Sequence, residues 1–348
     1  MAYSSIVKPT DYFNTVLYTG NGSTQSVTGF GHAPNLIWTK ERNNAKDHAW
    51  YDSVRGANQL LESNKTGAES TTSAGISSFD SDGFTTGDFF QTNDNGDSYV
   101  SWGWRAGGTA SSNSDGSITS SVSANTTAGF SIVSYTGTGS AATVGHGLGA
   151  APEIVIVKRR NNADGWQVYV DGLSSVNHYL RLDTSAAEAS DSSRFGAAPT
   201  ASVFSVGTAN GTNASGDTYI AYCFAEKKGY SKFGKYTGNG STDGTFIYTG
   251  FKPAFIIMKS SSHAVNWKVH DNKRDSINDG SGASLSPNED SAEDDNTAYD
   301  IDLLSNGFKQ KNNNANMNKN TYVYTYWAFA EAPFVANNSG TAVPVVAR

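Results

Sequence analysis

The chain has 348 residues, a net charge of -7 and charged side chains at only 16 % of positions, alongside 36 glycines, 7 Trp, 17 Tyr and 17 Phe. The negative balance argues against a nucleic-acid backbone as partner, and no apolar run approaches the roughly 20 residues that a membrane span needs. Disordered Ser/Gly-rich chains lack such aromatic content, and many short apolar runs divided by Gly, Asn, Ser and Asp clusters predict an all-β protein.

In chain order, residues 1–11 read as an N-terminal arm with no signal-peptide core, so routing through a secretory pathway is not expected. Residues 12–107 form the first predicted unit. Its opening strand, NTVLYTG (14–20), runs into a Tyr-Thr-Gly-X-Gly segment at Tyr18. Pro34 then stands at the start of a strand, where its missing N–H harms no ladder, and the apolar run LIWTK ends at Lys40. Trp50 and Asp52 follow, and YVSWGW (99–104) closes the unit. Residues 108–127 have the composition of a flexible polar linker.

Residues 128–228 restate that order with GFSIVSYTG (129–137), Pro152, IVIVK ending at Lys158, Trp166 with Asp171, and YIAYCF (219–224). After the short EKKGYSK (226–232) comes a third unit, 230–333, with FGKYTG (233–238), Pro253, FIIMK ending at Lys259, Trp267 with Asp271, and YTYWAF (324–329). The short connection predicts that the second and third units are held more rigidly than the first and second. Residues 334–348 form a tail too short to be a domain, of the kind that lies across a neighbouring subunit.

The starts at Tyr18, Tyr135 and Tyr236 are domain-sized intervals apart, far above the roughly 20–50-residue period of a solenoid. The expected fold is all-β: three tandem antiparallel β-sandwich domains of jelly-roll or concanavalin-like type, related by internal repetition. In each closing strand a period of two puts the bulky residues on one face: Trp102 and Trp104, Tyr222 and Phe224, Trp327 and Phe329. Together with the three tyrosines they are the predicted repeat core, filling the space between sheets about 10 Å apart. Cys223, the single cysteine, falls on the opposite face as a small core residue, so no internal disulfide framework exists.

The Tyr-Thr-Gly-X-Gly segment itself reads as a structural corner. A phosphate loop must open a helix, and here turns and short strands follow. His48, Trp50 and Asp52 lie on alternate residues, so as a strand they share a face. Together with Trp166, Asp171, Trp267 and Asp271 they are the candidates for ligand or glycan contact, against a plain packing role. The acidic run 288–302 offers Asp290, Asp294 and Asp295 as hard oxygen ligands for calcium, against a solvated loop; no other cofactor is expected. The six histidines form no HExxH, and GxSxG is absent, so no catalytic residue is assigned and an enzyme is not expected.

The set YTGNGST, GFGHAPNLIWTKERN, WYDSVRG, LLESN and GFTTGDFFQTNDNGDSYVSWGWRAG, with YWAFAEAPF at 326–334, resembles a domain family of uncharacterised function in structural proteins of tailed bacteriophages, especially marine ones that infect cyanobacteria. It covers 12–107 best and the later units more loosely; neither has a WYDSVRG equivalent followed by LLxSN. The resemblance implies a concanavalin-like β-sandwich in three copies and a non-enzymatic virion protein, on the capsid surface or the tail, assembled in the host cytoplasm. Surface decoration is the first expectation, because no fibrous stem or heptad pattern is present. A tail-fibre or spike adhesin binding host-surface polysaccharide is the alternative, and a glycan-degrading enzyme with paired carboxylates the second. Expected partners are other virion proteins and further copies of the chain, with no nucleic acid and no membrane insertion.

Overall fold

A computed structural model of the chain describes residues 4–275, 278, 280, 282–333, 335–338 and 341–344. The fold they form is all-β, with antiparallel ladders throughout its sheets. Three large sheets share one core order of four strands. In the first these are the opening strand Phe13–Thr19, the closing strand Ser98–Trp104, the lysine-bearing strand Leu36–Glu41 and a fourth strand, Ala49–Asp52. The second runs Phe130–Thr136, Thr218–Phe224, Ile154–Arg159, Gln167–Val170, and the third Ser231–Thr237, Val323–Pro333, Phe251–Ser260, Lys268–Asp271.

A small sheet faces each large one. These are Gln25–Thr28 with Gly83–Thr86 and Ile76–Asp80, then Ala142–Gly145 with Val203–Val206, and then Phe246–Tyr248 with Gly307–Gln310 and Ile301–Leu304. Each sandwich has its own core: Val27, Phe30, Ile37, Tyr51 and Phe84 in the first, Val144, Tyr169, Phe204 and Cys223 in the second, Ile247, Phe251, Met258 and Phe308 in the third.

The bulky faces of the closing strands do something else. Rather than filling the space inside each sandwich, they turn outward from it and meet one another in a fourth core shared by all three large sheets. Trp104, Phe224 and Phe329 hold matching ladder positions, opposite Leu36, Ile154 and Phe255. Their rings form a triangle, with centroids 6.3 Å, 5.8 Å and 5.7 Å apart. The smaller face, with Tyr219, Ala221 and Cys223 in the second sheet, packs inside its own sandwich. The reason is volume. A small sheet of two or three short strands needs little side chain to meet it, whereas the gap where three sheets converge takes rings.

Two segments expected as an arm and a polar linker are part of this body. In the N-terminal arm, Ile6 is 2 % exposed within the shared core and Ser4 is buried, ahead of the short 3-10 turn Pro9–Asp11. The stretch 108–127 is not a linker: it contributes strands Ser111–Asn113 and Ser120–Asn125, which extend the second sheet beside Phe130–Thr136. Its apolar Ile118 and Val122 are buried, as are Ser120 and Ser123, while Ser117, Thr119 and Ser121 are exposed. Residues 1–3 of the arm lie outside the described residues, as do 334, 339–340 and 345–348 of the tail. The rest of that tail forms a hairpin, Val335–Asn338 with Thr341–Pro344.

The Tyr-Thr-Gly-X-Gly segments are corners tied to the turn before each closing strand. Tyr18, Tyr135 and Tyr236 donate to the carbonyls of Thr92, Thr212 and Met317 at 2.6 Å each, and stack on Tyr99, Tyr219 and Tyr324. A buried asparagine latches each corner, its Oδ1 accepting from the backbone of Asn21, Thr138 or Asn239: Asn93 at 2.8 Å, Asn213 at 2.7 Å and Asn318 at 3.1 Å. The first glycine of each segment is required by close approach. A Cβ on Gly20 would lie 2.1 Å from the Asp94 carbonyl oxygen, and one on Gly238 2.3 Å from that of Lys319.

Candidate functional site

His48, Trp50, Asp52, Trp166, Trp267 and Asp271 lie where the three sheets abut, and the ladders show which of them correspond. Thr39 pairs with Ala49, Val157 with Gln167 and Met258 with Lys268. The residue before each fourth strand is therefore His48, Trp166 or Trp267. Trp50 does not match the other two tryptophans; its counterparts are Val168 and Val269. By the same registers Asp52 and Asp271 correspond, opposite Leu36 and Phe255, and Val170 stands in the third place, opposite Ile154. Asp171 is one residue further on and exposed.

His48, Trp166 and Trp267 each reach across a seam to a main-chain carbonyl of a neighbouring unit. Trp166 Nε1 donates to Glu62 O at 2.8 Å, and Trp267 Nε1 to Arg181 O at 3.0 Å. His48 Nε2 lies 3.0 Å from Ser286 O, and its Nδ1 accepts from Trp38 Nε1 at 2.9 Å. Those partners assign the tautomer, since an indole can only donate and a carbonyl can only accept. The ring is neutral with its proton on Nε2, and burial holds its pKa well below the ordinary histidine value.

Asp52 and Asp271 anchor two buried ion networks. Asp52 pairs with Arg55, both side chains fully buried, and accepts from Tyr222 of the second sheet at 2.8 Å. Asp271 pairs with Arg274 at 2.5 Å and accepts from Trp102 Nε1 of the first sheet at 3.0 Å. Each arginine also holds a glutamate, Glu69 at 3.1 Å or Glu293 at 2.9 Å. A second arginine from the adjacent sheet completes each set: Arg160 on Glu69 at 3.0 and 2.8 Å, Arg42 on Glu293 at 3.0 and 2.7 Å. Burial disfavours the Arg274 cation, but Asp271 and Glu293 outweigh it and raise its pKa.

Between the second and third sheets the network is missing among the described residues. Val170 and Leu173, both in the shared core, stand where the other seams have aspartate and arginine, and Ser261 stands where they have Arg42 or Arg160. Trp327 Nε1, the counterpart of the Trp102 and Tyr222 donors, is buried without a partner. The ionic ties thus lie on the two other seams, although the chain connection is shortest here. What all three seams keep is one main-chain bond: Glu69 N to Arg160 O at 2.7 Å, Glu188 N to Ser261 O at 2.8 Å, Glu293 N to Arg42 O at 2.8 Å. These close a ring of first to second, second to third and third to first.

The three strand lysines are buried beside the seams, their ammonium groups on main-chain carbonyls. Lys158 donates to Thr66 O, in the connection after strand Gln59–Glu62 of the first unit, at 3.1 Å and to Asp164 O at 2.7 Å. Lys259 donates to Ser260 O at 2.6 Å and His263 O at 3.2 Å. Burial pushes the pKa of Lys40 and Lys158 down to about 8 and that of Lys259 to about 7.

The acidic run divides. Glu293 belongs to a seam network, Asp294 lies 3.4 Å from Lys268, and Asp290 and Asp295 are exposed. Among the described residues no three His, Cys, Asp or Glu side chains gather as metal ligands. All seven tryptophans are buried, at 5 % exposure or less, so Trp50, Trp166 and Trp267 present no face to a sugar. A surface cleft of about 480 Å³, lined by Tyr12, Asn35, Arg105, Asn125 and Thr127, contains none of the candidates.

Sequence reasoning missed the seam arginines and the corner asparagines. The asparagines had a signal, standing at one spacing before Tyr99, Tyr219 and Tyr324. One family model, described as a domain of unknown function (DUF7483), matches residues 8–333 as a single domain. No curated protein matches the chain.

Proposed function

The chain belongs to the DUF7483 family, and from that premise we propose that it is a non-enzymatic structural protein, three tandem copies of one β-unit closed into a rigid body. Its place is the particle of a tailed bacteriophage, as a surface decoration or accessory protein present in many copies and docked on other virion proteins. The observation that carries the structural part is where the chemistry-bearing side chains lie. His48, Asp52, Arg55, Trp166, Trp267, Asp271 and Arg274 are all buried and bonded between or beside sheets. Matching registers and the ring of three main-chain bonds support the tandem reading. The phage setting rests on the sequence resemblance. The adhesin alternative loses its stacking tryptophans to the interior.

The test is to localise the protein on purified particles by cryo-imaging and quantitative mass spectrometry. Many copies on the shell lattice are expected. Absence from the particles would overturn the virion reading, and a few copies at the tail tip would transfer it to host attachment.

A further inference from the structure

The outer strand of the third small sheet, Phe246–Tyr248, differs from its counterparts. Val27, Val144 and Ile247 correspond, each opposite a phenylalanine. Phe246 therefore stands where the other sheets have Ser26 and Thr143, and Tyr248 where they have Thr28 and Gly145. These two rings are 44 % and 56 % exposed, among the few large apolar side chains left in water. The strand is also an open edge. Thr245 accepts from Gln310 and Thr249 donates to Asn306, both toward the neighbouring strand, so by the period of two the polar backbone groups of Phe246 and Tyr248 point away from the sheet.

The second sandwich shows what such an edge accepts. There residues 116–118 lie along the counterpart strand, with Ile118 bridged in parallel to Val144 and Ile118 N donating to Thr143 O at 2.9 Å. Gly116 passes so close that a Cβ would be 2.4 Å from that same oxygen. The covering segment comes from the long connection 108–127. The connection 226–232 ahead of the third sandwich is too short to supply one.

We propose that the Phe246–Tyr248 edge is covered by the C-terminal hairpin, Val335–Asn338 with Thr341–Pro344, of a second copy of this chain, in a reciprocal exchange. Among the described residues that hairpin pairs with no other strand, and an isolated two-stranded hairpin is marginal in water. It leaves the body at Pro333, which is paired with Phe251, just past Tyr248. Among the described residues no strand pairs with the free side of Phe246–Tyr248. Two copies set edge to edge can each lend the segment the other lacks, the self-complementary arrangement of a two-fold dimer. This goes beyond the virion reading, and its test uses purified protein, so either can fail without the other.

The experiment is sedimentation and light scattering of three proteins at matched concentration: the full chain, the chain ending at Pro333, and the F246S/Y248T double variant, each checked for an unchanged melting profile. The full chain is expected at twice the monomer mass and both variants at the monomer mass. A dimer that survives truncation, or a monomeric full chain, overturns the proposal. In the monomeric case, hydrogen exchange separates the other occupants. Edge amides protected until truncation would place the hairpin on its own chain, and unprotected ones would leave the edge to a different partner.

Discussion

The phenol of Tyr222 donates to Asp52 at 2.8 Å across a seam, between residues 170 positions apart in the chain. Asp52 is at the same time the partner of the fully buried Arg55. One carboxylate thus neutralises a buried cation and ties the second sheet to the first. The same arrangement recurs with Trp102, Asp271 and Arg274.

Removing one member of such a pair leaves the other charge buried, a loss of about 3–5 kcal/mol, whereas apolar replacement of both partners is often close to neutral. Asp52→Val and Arg55→Leu are each expected to destabilise by about 3–5 kcal/mol in urea unfolding. The double variant, which copies Val170 and Leu173, is expected to lose less than either single change. Additive losses would mean that the two side chains are not coupled.

The unmatched indole at the third seam gives a second comparison. Trp102→Phe and Trp327→Phe remove similar volume from the shared core, but only the first also breaks a bond to a buried carboxylate. A hydrogen bond to a charged group contributes about 1.5–3 kcal/mol. Trp102→Phe should therefore cost more than Trp327→Phe by roughly that amount, read from the shift in unfolding midpoint. Equal costs would contradict the assignment of the seams.

Lys259 makes stability depend on pH. Burial lowers its pKa from 10.5 to about 7, so between those values the amine is neutral when folded and charged when unfolded. Unfolding then takes up a proton, and raising the pH through that window stabilises the fold. Lys40 and Lys158 add to the slope from about 8 upward. The urea midpoint is expected to rise between pH 7 and about pH 9.5, and Lys259→Met to flatten the lower part of that rise. A flat wild-type profile would count against these buried amines.

Much of the fold could be read from the residues. The strands, the glycine corners and the two-faced closing strands follow from local pattern; Pro34 and Pro152 precede their strands as expected, whereas Pro253 lies inside Phe251–Ser260, where the register shifts on either side of it. The direction of the bulky face could not be read, because a period of two says that Trp102 and Trp104 share a face but not which neighbour lies against it. The tryptophans mislead for a related reason: spacing in the sequence aligns Trp50 with Trp166 and Trp267, while the ladders align His48 with them. An imidazole N–H meets the same need as an indole N–H, a donor aimed at a carbonyl across the seam, and that equivalence lies in geometry rather than spelling. The strand at 120–125 is spelled largely in serine, and Ser120 and Ser123 are buried, so a segment with the composition of a linker packs as a strand.

The central claim is that the three sheets and their seams form one cooperative body rather than three sandwiches on a string. Differential scanning calorimetry of the intact chain tests it most directly. The expected result is a single transition whose calorimetric and van't Hoff enthalpies agree. Separate transitions, or an isolated fragment 128–228 that melts as it does within the whole chain, would contradict it.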